Sequence, residues 1–200
     1  MIRNFLFDVG NVLIHCDLKF GSSRIATRSK RSAENIQQEL IEHPILNEFD
    51  LGLHTSEAFN AKMQALTGWC GSVDELEAIW QDMLSPDEDM FDYMESLVER
   101  GYHSYILSNC NPFHTQYIRQ KFPGITATHG QIFSNECSLV KPDEAIFIHA
   151  QTTFGIEPSE TFFIDDRLAN VRAAERLGFV GLVHTSFEST KRKIESMLSI

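Results

Sequence analysis

Residues 4–15 read NFLFDVGNVLIH. The apolar run of Phe5, Leu6 and Phe7 stops at Asp8, passes a Gly10-Asn11 pair and resumes at Val12 and Leu13. A short, unbroken apolar run ended by turn residues fits a strand buried on both faces. A carboxylate at the end of such a strand is either turn punctuation or chemistry, and the rest of the chain has to decide between them.

From about residue 87 onward the pattern alternates. DEDMFDYMESLVERGY (87–102) spaces Met90, Phe91, Met94, Leu97 and Val98 as one helix face, and Gly101 ends it. HSYILSN (103–109) reads as a strand, and PFHTQYIRQKF as a helix entered at Pro112. QIFSN, TFFIDD and FVGLVH are further strands. They are separated by a helix opening at Pro142 (DEAIFIHAQTTFG) and by LANVRAAERLG, and a last helix runs to about Leu198. Strands alternating with helices predict an α/β fold, a Rossmann-like parallel sheet with helices on both faces.

Residues 16–86 break the rhythm and read as helices only: SAENIQQELIEH, TSEAFNAKMQALTG and SVDELEAIWQDML. Ser72 and Glu75 have the spacing of a capping box. The predicted organisation is an α/β core of residues 1–14 and 87–200 with a small helical cap domain, 15–86, inserted after the first strand.

Right-handed crossovers align the C-terminal ends of parallel strands along one edge, where open α/β sheets bind ligands. Asp8, Ser108-Asn109 and Asp165-Asp166 all fall at such ends, and Lys141-Pro142 heads the helix after the third strand. Convergent carboxylates repel unless a cation or a lysine balances them, and oxygen-only ligands suit Mg2+. A phosphate beside that cation could take hydrogen bonds from backbone N–H groups after Asp8 and after Ser108. Gly10 would remove a Cβ that crowds them.

The ordered set FDVGNVL, ILSNCN, VKPDEAIF and FFIDDRLANVRAAERLG resembles the four motifs of the haloacid dehalogenase superfamily, in the subgroup with a helical cap after the first motif. DVGNVL and SNCNPFH are similar to bacterial phosphatases acting on α-D-glucose-1-phosphate. The resemblance implies a Mg2+-dependent phosphatase of small phosphorylated metabolites, with a sugar phosphate as first guess, working through an aspartyl-phosphate on Asp8. It implies Gly10, Asn11, Ser108 and Asn109 as phosphate-binding residues and Lys141 as the neutralising cation. Asp8, the Gly10 carbonyl and Asp166 would be metal ligands, with Asp165 and Asn170 behind them.

One departure stands out. Phosphatases of this superfamily usually carry a second Asp two residues after the nucleophile as general acid, and here that residue is Gly10. His114, His15, Asp17 or a water are the candidate substitutes. Gly10 also fits two rivals: a metal-independent 2-haloacid dehalogenase, and a phosphate-binding module without turnover. The Asp165-Asp166 pair speaks against a carboxylate substrate.

The remaining composition narrows the partners. In 200 residues, 17 Lys and Arg against 28 Asp and Glu give a net charge of −11, which disfavours nucleic acid and anionic membranes as partners. No apolar run is long enough to span a membrane and no leader is evident, so a cytoplasmic protein is expected. The four scattered cysteines fit reduced thiols. The basic run SSRIATRSKR reads as a solvated face, and Trp69, Trp80, Met63, Leu66 and Met83 as core of the inserted helices.

Overall fold

The structure, a computed structural model, describes residues 1–198. The chain opens with β1 (Asn4–Phe7) and β2 (Ile14–Cys16), then runs through α1 (Leu18–Ala26), α2 (Ala33–Glu42), α3 (Ile45–Asp50), α4 (Ser56–Thr67) and α5 (Val73–Asp82). It returns through β3 (Leu84–Pro86) to α6 (Glu88–Glu99), β4 (His103–Ser108), α7 (Pro112–Lys121), α8 (Pro123–Thr126), β5 (Gly130–Phe133) and α9 (Ser134–Cys137). It ends with α10 (Glu144–Phe154), β6 (Thr161–Asp165), α11 (Leu168–Arg176), β7 (Val180–Val183) and α12 (Phe187–Leu198).

The main sheet has the order β5-β4-β1-β6-β7, and every pairing is parallel. β1 lies at its centre, so its residues are covered on both faces, which is why NFLF shows no alternation. The pleat sorts its side chains. Phe5 and Phe7 pack with Ile106, Phe162 and Ile164 against Met90, Met94 and Leu97 of α6 and Ile194 of α12. Leu6, with Leu107 and Phe163, faces Ile146 and Phe147 of α10 and Val171 and Ala174 of α11. Full burial of each large apolar side chain stabilises by roughly 1.5–3 kcal/mol.

Helices α1 to α5 form a separate cluster. Phe49 and Phe59 stack with ring centroids 3.9 Å apart, and Trp80 meets Phe59 edge-on. Met63, Trp69, Trp80 and Met83 are buried there as expected, with Leu66 partly buried. Phe113, from α7, enters the same cluster and lies 5.1 Å from Phe49, which ties the inserted helices to the sheet's edge. Local chemistry sets the helix starts. Ser32 caps α2, Thr55 caps α4, and Ser72 with Glu75 forms the expected capping box of α5. The basic run is solvated and paired: Arg28 meets Glu75, and Arg31 lies 2.9 Å from Glu39.

Two expectations about local structure need correction. The insertion is not helices alone, because β2 and β3 pair antiparallel at its neck, Ile14 opposite Pro86 and Cys16 opposite Leu84. Two further helices, α1 and α3, accompany the three anticipated. Nor does Pro142 open a helix: Asp143 is the cap, accepting from the Ala145 N–H at 3.0 Å, and α10 begins at Glu144.

Candidate active site

The register of β1 on β6 continues one step beyond the strand, where the Asp8 N–H donates to the Ile164 carbonyl at 2.9 Å. That places the Asp8 carboxyl at the sheet edge, 7% exposed, with Oδ1 accepting the Val9 N–H at 2.7 Å. β4, next to β1, delivers Ser108 to the same edge, and β6 delivers Asp165.

Lys141 reaches in from the loop before α10 and is 2% exposed. Its ammonium lies 2.8 Å from Asp8 Oδ1 and 2.7 Å from Asp165 Oδ2, and donates to the Leu107 carbonyl at 2.8 Å. All three ammonium donors are thus used. Asn109 holds the Lys141 backbone in place: its Nδ2 donates to the Lys141 carbonyl at 2.9 Å and its Oδ1 accepts the Lys141 N–H at 2.8 Å. Burial by itself would lower the Lys141 pKa, but Asp8 and Asp165 outweigh it and hold the lysine above its ordinary value. Burial, reinforced by repulsion from Asp165, pushes the Asp8 carboxyl up to about 7 despite Lys141.

The tandem acids face different ways. Asp165 is fully buried and accepts from the Arg167 N–H at 2.8 Å and from Asn170 Nδ2 at 2.9 and 3.0 Å. Asp166 is half-buried and, among the described residues, accepts from Asn11 Nδ2 alone, at 3.2 Å. Carboxylate oxygens of Asp8, Asp165 and Asp166 lie within 4.8 Å of one another. Three carboxylates against one ammonium leave two formal negative charges, the complement of one divalent ion. The donors are all oxygen, which suits Mg2+. Beside them Asn170 Oδ1 is buried without a hydrogen-bond partner among the described residues. The residues fit a Mg2+ site.

Above this edge a cavity of about 210 Å³ opens toward the inserted helices. Gly10, Ser108 and Asn109 line it together with Asp50, Trp80 and His114. Cys110 also lines it, and burial pushes its thiol up, which disfavours the thiolate.

Several anticipated residues sit differently from expectation. A Cβ on Gly10 would meet no protein atom within 4 Å, so packing does not require glycine there. The Asn11 N–H, expected to face a phosphate, donates to the Ile14 carbonyl at 2.8 Å. Asn11 sits at φ 53°, a region asparagine tolerates, and its side chain joins Asp166 to the Cys16 N–H. His15 is exposed, 3.7 Å from Asp87, and Asp17 is spent capping α1 through the Phe20 N–H. His114 does line the cavity, but Nε2 bonds the Trp80 carbonyl at 3.0 Å and Nδ1 lies 3.3 Å from Asn111 Nδ2. Burial pushes its imidazole down to about 4.

Asp50 is the residue sequence reasoning missed. It ends α3, lines the cavity, and is pushed up to about 7 by burial, partly offset by an Asn111 hydrogen bond at 3.4 Å. The only local signal was an acid following Phe49 and preceding a Leu51-Gly52 turn.

Comparison with known proteins identifies the family and the fold. Residues 2–178 match the model of the haloacid dehalogenase-like hydrolases. D-ribitol-5-phosphate phosphatase of Bacteroides thetaiotaomicron is 25% identical over 186 residues, covering 90% of each chain. A haloacid dehalogenase family enzyme from the same organism, solved with magnesium and inorganic phosphate, superposes with a TM-score of 0.82 at 26% identity, covering 92% of this chain and 95% of that one. A HAD-like hydrolase from Porphyromonas gingivalis gives 0.85 at 28% identity, over 99% and 98% of the two chains.

Proposed function

The chain belongs to the haloacid dehalogenase-like hydrolases, and within that family we propose that it is a Mg2+-dependent phosphomonoesterase of small phosphorylated metabolites. The observation that carries this reading is the buried Lys141 ammonium held 2.8 Å from Asp8 and 2.7 Å from Asp165, with Asp166 beside them. Such a set lets one carboxylate approach an anionic phosphoryl group without prohibitive repulsion. Support comes from the phosphatase and phosphate-complex relatives.

In this reading Asp8 attacks phosphorus and forms an aspartyl-phosphate while the ester oxygen leaves. Lys141 steadies the charge that develops on the transferring group. The Ser108 hydroxyl and the Asn109 N–H hold phosphoryl oxygens, and the Asn109 side chain keeps Lys141 in register. Water then attacks the phosphoaspartate and Asp8 is regenerated. Asp8, the Gly10 carbonyl and Asp166, with Asp165 and Asn170 behind them, would hold Mg2+, which would neutralise charge on the phosphoryl group. Residues 15–86 act as a cap: opening at the β2–β3 neck admits substrate, and closing excludes bulk water. A sugar phosphate is the first substrate to try.

A screen of sugar phosphates, nucleotides and small phosphorylated acids, with and without Mg2+, tests the proposal. Phosphate release that requires Mg2+ is the expected result. Chloride release from a 2-haloacid without metal would establish the dehalogenase reading that Gly10 also permits, and phosphate binding without turnover would establish a binding module.

A further inference from the structure

The phosphatase reading leaves the leaving oxygen without a proton donor, because the position that usually supplies one is Gly10. We propose that Asp50, carried on the cap, donates that proton; the proposal rests on the phosphatase reading and completes it.

The placement is specific. Asp50, from α3 of the inserted helices, and Gly10, from the loop after β1, line the same cavity. Three contacts hold Asp50 against loops at the catalytic edge. Asn111, two residues past Asn109, donates to Asp50 Oδ1 at 3.4 Å. The Ser134 hydroxyl, just past β5, donates to the Asp50 carbonyl at 2.5 Å. Gly52, at φ 71°, lies so close to the core that an added Cβ would come within 2.4 Å of the Asn135 carbonyl oxygen. Each of these contacts joins the inserted helices to the core, so a cap that closes would assemble the donor and one that opens would withdraw it. An acid on the nucleophile loop would lack that coupling.

The other candidates are otherwise occupied. Asp17 caps α1, exposed His15 faces Asp87, and both nitrogens of His114 are engaged by Trp80 and Asn111.

The surroundings also suit a donor. Among the described residues no cation pairs with Asp50. The titratable groups that face it are neutral near pH 7: Cys16 of β2, pushed up to about 11 by burial and by the nearby acids Asp50 and Asp17; Cys110, pushed up by burial; and His114 of α7, pushed down to about 4 by burial. On its own helix Glu48 turns to His54 and Lys62, and on α9 beneath it Glu136 pairs with Arg119. With burial pushing the Asp50 carboxyl up to about 7, both its acid and its base forms are populated at neutral pH.

The proton balance closes. An Asp8 oxygen bonds to phosphorus as the ester P–O bond breaks. The electron pair of that bond goes to the leaving oxygen, which takes the Asp50 proton and departs as an alcohol. The Asp50 carboxylate then removes a proton from the attacking water. The bond from phosphorus to Asp8 breaks, inorganic phosphate forms, and Asp8 and protonated Asp50 are restored.

The test compares the wild type and Asp50→Asn with Mg2+ on p-nitrophenyl phosphate, whose leaving group needs no proton, and on an alkyl phosphate, whose leaving group does. The expected result is a fall in kcat/KM on the alkyl ester of about 10²–10⁴-fold, against a loss of no more than about tenfold on the aryl ester. The decline of wild-type alkyl activity above pH 7 should vanish in the variant. Equal losses on both esters, or an unchanged alkaline limb, would overturn the role of Asp50 alone. A wild type that turns over neither ester would overturn the phosphatase reading, and this proposal with it.

Discussion

The Lys141 ammonium sits 2.7 Å from a fully buried Asp165 carboxylate, and that contact places a buried cation where two carboxylates need it. Replacing Lys141 with Met keeps an unbranched side chain, one atom shorter, and deletes the charge, leaving Asp8 and Asp165 buried without a counter-ion. Breaking a buried pair from one side typically costs about 3–5 kcal/mol. Urea unfolding of Lys141→Met without divalent ions should show a loss of that order. Added Mg2+ should restore part of the stability but none of the turnover, since the ammonium that steadies the transferring group is gone. A variant as stable as the wild type in EDTA would contradict the pairing.

Asp8→Asn retains the shape of the side chain and can still accept the Val9 N–H, the contact that now measures 2.7 Å. It cannot form an aspartyl-phosphate. Turnover should drop to background on every ester, with the melting temperature within a few degrees of wild type. Residual activity above a thousandth of wild type would remove the covalent route.

Asp166 is half-buried and its carboxylate accepts one hydrogen bond among the described residues, from Asn11, so truncation should cost the fold little, about 0.5 kcal/mol or less. Its proposed role is to bind the metal. Asp166→Ala should therefore raise the Mg2+ concentration needed for half-maximal activity by an order of magnitude or more at nearly unchanged stability. A Mg2+ titration curve that overlays the wild type would reassign the ligand set.

What could be read before folding was whatever depends on local pattern and on the geometry of parallel sheets. NFLF and TFFID were legible as strands because each carries three consecutive large apolar residues, and Asp8, Ser108 and the tandem acids because strand ends in such sheets converge. The capping box at Ser72 was legible because its chemistry lies within four residues. β2 and β3 were not, since three-residue strands carry no alternation to detect. The fate of the Asn11 N–H depends on a tight turn back to Ile14, which spacing does not reveal. Asp50 escaped for a deeper reason. Its surroundings are built by Asn111, Ser134 and Asn135, between about 60 and 85 residues along the chain, and none of them marks it locally.

Gly52 offers a direct probe of that long-range docking. Its φ of 71° disfavours any side chain, and an added Cβ would lie 2.4 Å from the Asn135 carbonyl oxygen. Gly101, at φ 90° with nothing within 4 Å of an added Cβ, carries the backbone penalty without the clash. Gly101→Ala should lose about 1 kcal/mol of stability with unchanged kinetics. Gly52→Ala should lose more, and should also raise KM, because the cap can no longer close on the core. Equal kinetic behaviour of the two variants would show that cap closure does not pass through Gly52.

Asp50 and His114 border one cavity and should tilt stability in opposite directions with pH. Burial raises the folded-state pKa of Asp50 from 3.8 to about 7. The folded protein therefore binds the extra proton between those values, and the carboxyl's contribution is complete below pH 4 and lost as pH rises toward 7. Burial lowers the folded-state pKa of His114 from 6.5 to about 4, so its contribution is present above pH 6.5 and lost as pH falls toward 4. Each group tilts the curve by at most about 1.4 kcal/mol per pH unit. In the wild type the slopes oppose each other, and single variants separate them. Measured by urea unfolding at fixed Mg2+, Asp50→Asn should gain on the wild type as pH climbs from 4 to 7. His114→Asn should gain on it as pH drops from 6.5 to 4. Differences that stay flat with pH in both variants would mean that neither group is desolvated in solution as it is in the folded cavity.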